Sequence, residues 1–143
     1  TPWAEKLRVM DPRWAVPSLW TYEFENILAS YLRRDEWDVA RAMVTLGNAA
    51  SLLSVVRDPS PKTMFGLVGE YKITAYDAQY VALAMELKVP LVTEDKELVR
   101  KFQGVVYSME GYWGAFGNRD LREPAGNYVV STKRNRGPRK RSR

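Results

Sequence analysis

The feature that most constrains this chain is an alternation. Between residues 13 and 107, short β-branched runs take turns with segments of helical periodicity. The runs "RWAVP", "ASLLSVV", "VPLVT" and "GVVYSM" read as strands, bounded by proline, glycine and polar residues. After Ser18, a good N-cap, the residues Leu19, Trp20, Phe24, Ile27, Leu28, Tyr31 and Leu32 recur at helical spacing. Further helices are expected over residues 37–46, over "KTMFGLVGEYK", from Thr74 to about Lys88, and over "EDKELVRKF". The opening "TPWAEKLRVMDP" reads as the latter part of an amphipathic segment ending at Asp11 and Pro12. Strands alternating with helices predict an α/β fold whose mostly parallel sheet is flanked by helices. In such sheets ligands sit beyond the carboxyl ends of the strands.

Composition removes several chemistries. There is no cysteine and no histidine. Disulfides, thiolate nucleophiles, histidine general bases and imidazole or thiolate metal sites are therefore excluded. Any bound metal must be held by oxygen, which favours Mg²⁺ or Mn²⁺. No apolar run approaches the length of a bilayer span and no signal-peptide pattern opens the chain, so a cytoplasmic protein is expected.

The net charge of +5 is unevenly distributed. Residues 133–143, "KRNRGPRKRSR", carry seven Lys or Arg and no acid, whereas residues 1–132 carry 15 basic and 17 acidic side chains, net −2. Residues 1–116 are expected to form the domain and residues 117–143 a polar, basic, disordered tail. Lys133, Arg134, Arg136, Arg139, Lys140 and Arg141 are candidates to hold a nucleic-acid backbone; the plain alternative is a solubilising extension.

Asp77 and Asp95 stand at the ends of apolar elements, and Glu23 lies within one. Leu19, Glu23, Ile27 and Tyr31 share one helical face, which turns Glu23 toward the core side. A carboxylate there costs several kcal/mol unless it is paired or metal-bound; a buried ion pair or a glutamate at the stripe edge are the structural alternatives. Asp77 completes the capping pattern "TAYD", yet lies on the face of Val81 and Ala84. Asp95 follows the apolar run "PLVT" and can also cap the helix after it. One site that gathers carboxylates around Mg²⁺ would explain all three acids together.

Two blocks of this sequence resemble the PIN-domain ribonucleases, and within them the VapC-type toxins of toxin–antitoxin pairs. "VPSLWTYEFENIL" is similar to that family's P-S-x-x-x-x-E-x-x-N-x-L segment, and "ITAYDAQYVALAMELKVPLVTEDKEL" to its YDAxYxALA…PLxTxDxxL segment. The resemblance covers residues 13 to 107 and implies a three-layer α/β/α fold. It implies a metal-dependent endoribonuclease that hydrolyses RNA phosphodiesters with Mg²⁺ or Mn²⁺ held by four acids. Glu23, Asp77 and Asp95 match three of these acids, and Asn26 and Thr93 match supporting polar positions. It also implies an RNA substrate, a small antitoxin partner and a homodimer. Trp20, Tyr112 and Trp113 are candidates for partner contacts, with core packing as the favoured alternative.

The departure from the family lies at the start. The family opens with a central strand that ends in its first aspartate, and residues 1–12 supply none. Asp11 stands in a turn before "RWAVP" and is not a candidate. The expectation is a chain without that strand, a sheet without its middle, and a site one carboxylate short. A disfavoured alternative folds "NYVVST" back into the vacancy, since it resembles the family's opening "YVVDT" with Ser131 at the aspartate position. Other readings are an inert RNA-binding module and a different Mg²⁺-dependent nuclease.

Overall fold

A computed structural model describes residues 2–117 and the backbone of residues 128–130. The chain opens with helix α1 (Pro2–Met10), strand β1 (Trp14–Val16), helix α2 (Leu19–Arg33), helix α3 (Val39–Ala50) and strand β2 (Leu53–Val56). Helices α4 (Pro61–Tyr71) and α5 (Ala75–Leu87) follow, then strand β3 (Leu91–Val92), helix α6 (Lys96–Lys101), strand β4 (Val106–Tyr107), helix α7 (Met109–Phe116) and strand β5 (Tyr128–Val130). The strands form one five-stranded sheet of order β2-β1-β5-β3-β4, and every pairing is parallel. The α/β architecture expected from the alternation is present.

The middle of the sheet is filled, contrary to the leading expectation. β5 lies between β1 and β3, with Val129 opposite Ala15 on one side and Leu91 on the other. The run "YVV" thus belongs to the sheet and not to a tail; residues 118–127 and 131–143 lie outside the described residues. The physical reason is that β1 and β3 each need a partner for their inner edge. A β-branched run fits the slot of a parallel strand, and pairing both edges outweighs the long return of the chain.

Helices cover both faces of the sheet. Leu91 and Val92 are adjacent, and side chains alternate along a strand, so they serve opposite faces. Leu91 belongs to the main core with Ala15, Val16, Trp20, Tyr80, Val81 and Leu83. Val92 belongs to a smaller core with Leu7 of α1 and Tyr112 of α7. α5 is the central helix: Ala78, Tyr80, Val81, Ala82, Leu83 and Ala84 are all buried, and it packs against β3, β5 and α4. On α2 the buried residues are Trp20 and Leu28, with Phe24 packed against the core between them. Glu23 therefore stands at the edge of the core stripe, the structural alternative that its helical spacing left open.

α7 is not among the helices that the sequence pattern announces. Its two internal glycines weaken helix propensity, but Ser108 caps it by accepting a hydrogen bond from the Gly111 N–H at 3.0 Å. Trp20 and Tyr112 are both 6% exposed, so they are core residues and not partner contacts.

α5 is fastened to α4 by Glu86, whose carboxylate accepts the Ser60 N–H at 2.8 Å and faces Arg57 at 3.7 Å. The bond from the Ser60 backbone, more than any other contact, holds this carboxyl below the usual glutamate value of 4.5. A lowered folded-state value stabilises the fold above that pH, and the contribution fades as pH falls through the lower value. Glu86→Ala is expected to cost about 1 kcal/mol at neutral pH. Thermal denaturation followed across pH should show the gap between variant and wild type closing on acidification.

Candidate functional site

Because every strand is parallel, their carboxyl ends share one edge, and each helix that follows a strand begins there. β1 ends at Val16 and α2 begins at Leu19, which brings Glu23 to this edge within its second turn. β3 ends at Val92, and Thr93 and Asp95 follow directly. α5 precedes β3 and returns across the sheet to it, so Asp77 in its first turn lies toward the same edge. The topology thus brings three acids from three separate elements to the ends of β1, β5 and β3.

Each of the three residues is half-buried and hydrogen-bonded. The Tyr80 hydroxyl donates to Oε2 of Glu23, which ties α2 to α5. Tyr80 is 1% exposed, so this bond fixes the glutamate from inside the core. The Asp77 N–H donates to Oγ1 of Thr74 at 3.1 Å, the expected cap. Oδ1 of Asp95 accepts the N–H groups of Glu97 at 2.9 Å and Leu98 at 3.2 Å, so Asp95 is the N-cap of α6. Thr93 is buried and its Oγ1 accepts the Asp95 N–H at 3.2 Å, which positions that residue as its supporting role requires. Asn26 is exposed. The candidate nucleic-acid residues Lys133, Arg134, Arg136, Arg139, Lys140 and Arg141 lie outside the described residues, as does Ser131.

Two edge residues were not anticipated from the sequence. Tyr80 carries the one hydroxyl in the buried stretch 78–84 of α5, and its position three residues after Asp77 was the available signal. Asp58 follows β2 and accepts bonds at 2.8 Å from both the N–H and the hydroxyl of Ser18, which follows β1. Ser18 therefore does not cap α2; its side chain makes no cap bond. Asp11 is at the amino end of β1, away from the acids. Burial pushes its carboxyl above the usual aspartate range, and its Oδ1 accepts the Arg13 N–H at 3.2 Å. It braces the turn between α1 and β1.

The donor set is all oxygen, which suits Mg²⁺ or Mn²⁺ in chemistry. Among the described residues, however, no group of three or more Asp or Glu is placed to hold a metal ion. The edge gathers carboxylates without closing a cage of them. Among those residues, too, no helix is long and apolar enough to cross a membrane.

Tyr80→Phe keeps the ring and removes the donor to Glu23. The half-buried carboxylate is then left without that bond, at an expected cost of about 1–2 kcal/mol. The melting temperature of the variant checks this.

Parallel strands in this order, with acids at their carboxyl ends, define a class: an α/β protein with a carboxylate-lined sheet edge. Comparison with known proteins narrows it. No protein-family model matches the chain. The chain is 33% identical over 92 residues to exonuclease VapC9 of Pyrobaculum aerophilum, spanning 64% of this chain and 69% of that protein. The crystal structure of PAE2754 from the same organism superposes with a TM-score of 0.63 at 28% identity, covering 73% of this chain and 77% of that one. The chain belongs to the VapC-like PIN family.

Proposed function

We propose that this chain is a nuclease of the toxin–antitoxin class that hydrolyses RNA phosphodiesters internally and depends on Mg²⁺ or Mn²⁺. The observation that carries this reading is the convergence of Glu23, Asp77 and Asp95 on one sheet edge, in a chain related to a VapC nuclease. Mg²⁺ keeps several waters and is bound by one or two carboxylates together with substrate phosphates, so an open acid edge suits it better than a closed cage would. When bound, such an ion neutralises charge on the phosphate and acidifies a water. Asp77 and Asp95 are the residues that would hold it. Glu23, fixed by the Tyr80 hydroxyl through one oxygen, is the group that would orient a water or take its proton.

A protein partner is part of the proposal, as expected of a toxin: an antitoxin, and a second copy of the chain. Val39, Met43 and Val44 of α3 and Tyr22 of α2 are 68%, 61%, 63% and 69% exposed. Exposed apolar side chains on these two packed helices support a face that another protein covers.

The relative is named an exonuclease, which favours a second reading, digestion from chain ends. Circular and linear single-stranded RNA, incubated with the protein and Mg²⁺ or Mn²⁺, separate the two. Opening of the circle supports internal cleavage; digestion of the linear form alone supports exonuclease action. No cleavage of either, or cleavage that chelation leaves unchanged, would sink the proposal.

A further inference from the structure

The sheet ends at β4, and at that margin the two helical layers part. α6 lies on the face of the main core, through Leu98, whereas α1 and α7 lie on the other, through Leu7 and Tyr112. Among the described residues β4 pairs only with β3. Beyond its outer side the layers leave a cavity of about 750 Å³, a size that holds a small molecule. Val99 of α6 and Val106 of β4 give it apolar walls, and Trp3 of α1 and Tyr107 of β4 give it rings. Both rings are held in place by the protein itself. Trp3 meets Trp113 of α7 with ring centroids 6.5 Å apart. The Tyr107 hydroxyl donates to the Gly104 carbonyl at 3.1 Å, and its ring packs at steep angles on Tyr112 and Phe116. Rings fixed in advance lose little freedom when a flat ligand stacks on them.

The charged groups around the cavity are weakly engaged. Lys96 and Arg100 stand four residues apart on α6, so they line it from one face of that helix. The Arg100 side chain is 70% exposed and reaches Glu97 only at 4.0 Å, a pairing that a closer anion displaces. Lys96 pairs with no acid among the described residues. Two cations one helical turn apart suit a phosphate. At the start of α7, Glu110 adds a carboxylate that accepts no hydrogen bond among the described residues. Glu94 also lines the cavity, but its carboxylate already accepts the Met109 N–H at 2.9 Å. A carboxylate of this kind takes a proton from the exocyclic amine of a base. A purely apolar ligand would leave these charges unused, and a bare anion would leave the rings unused. We propose that this cavity at the sheet margin is a binding site for a nucleoside monophosphate, with the phosphate on Lys96 and Arg100, the base against Trp3 and Tyr107, and a base amine donating to Glu110.

The test is titration of the full chain with CMP, followed by calorimetry and by tryptophan fluorescence. EDTA is present throughout, so that no metal bridges the nucleotide to Asp77 or Asp95. CMP should bind saturably and quench the fluorescence. Cytidine and ribose 5-phosphate, each lacking one end of the ligand, should bind about tenfold more weakly, the loss of a charge-assisted bond or of a stacked base. Lys96→Gln combined with Arg100→Gln should weaken CMP by about tenfold and leave cytidine unchanged. UMP has a ring of the same size with a carbonyl in place of the amine, so it should bind more weakly than CMP, and Glu110→Gln should abolish that preference. All three substituted residues are exposed, so the fold survives these changes, and melting curves check it. Trp3→Phe keeps a ring in place; CMP should still bind by calorimetry, with its quenching lost. Absence of saturable CMP binding would overturn the proposal. So would affinity that the paired glutamine change leaves intact, quenching that survives Trp3→Phe, or equal affinity of the wild type for CMP and UMP.

Discussion

Val129→Pro should destabilise the fold by about 3 kcal/mol, the sum of a missing ladder bond and an acceptor left unpaired in the middle of a sheet. Val129 lies opposite Ala15 and Leu91, and β1 and β3 do not pair with each other. Among the described residues, β5 is thus the one link in the ladder between the β2-β1 and β3-β4 pairs. A proline at Val56, on the outer strand β2, removes a donor at the sheet margin instead and should cost much less. Urea denaturation of both variants checks the contrast. Equal stabilities for Val129→Pro and wild type would mean that the central slot is held by something other than β5.

Asp77→Asn is expected to lower metal-dependent RNA cleavage on the order of a hundredfold or more while leaving the fold intact. The cap that starts α5 comes from Thr74 Oγ1 and the backbone N–H of residue 77, both of which survive the substitution. Loss of the favourable charge at the helix start costs only about 0.3–1 kcal/mol. The change therefore separates chemistry from folding better than Asp95→Asn, because Asp95 caps α6 with its own carboxylate. Cleavage assays and melting curves on the same preparation give both quantities. A cleavage rate within twofold of wild type would remove Asp77 from the reacting centre.

Much of this arrangement was legible in the sequence for reasons that are local. Thr74 and Asp95 declare helix starts by chemistry acting over two or three residues, and both caps are present. The runs around Ala15 and Leu91 are apolar because inner parallel strands have water on neither face. Glu23 was harder. Its spacing placed it on an apolar face, but which face of α2 meets the core depends on Trp20, Phe24 and Leu28 packing against other elements. The Tyr80 bond to Glu23 and the Asp58 bonds to Ser18 join residues far apart in sequence, and only the fold reveals them. β5 was the largest miss. Sequence order argues against returning the last segment to the centre, whereas the demand for partners on two inner strand edges argues for it. The second consideration is global, and it decides the outcome.

The position of β5 has a consequence for how the protein comes into being. The residues that join the two halves of the sheet are made after every other described element, so Ala15 waits for Val129. During synthesis, β1 and β3 have exposed inner edges, a state open to mispairing with other chains. Their closure also depends on contacts between segments far apart in the sequence, the kind that form slowly. Until residues 128–130 are made, the strand ends that lead to Glu23 and Asp95 belong to two separate halves of the sheet.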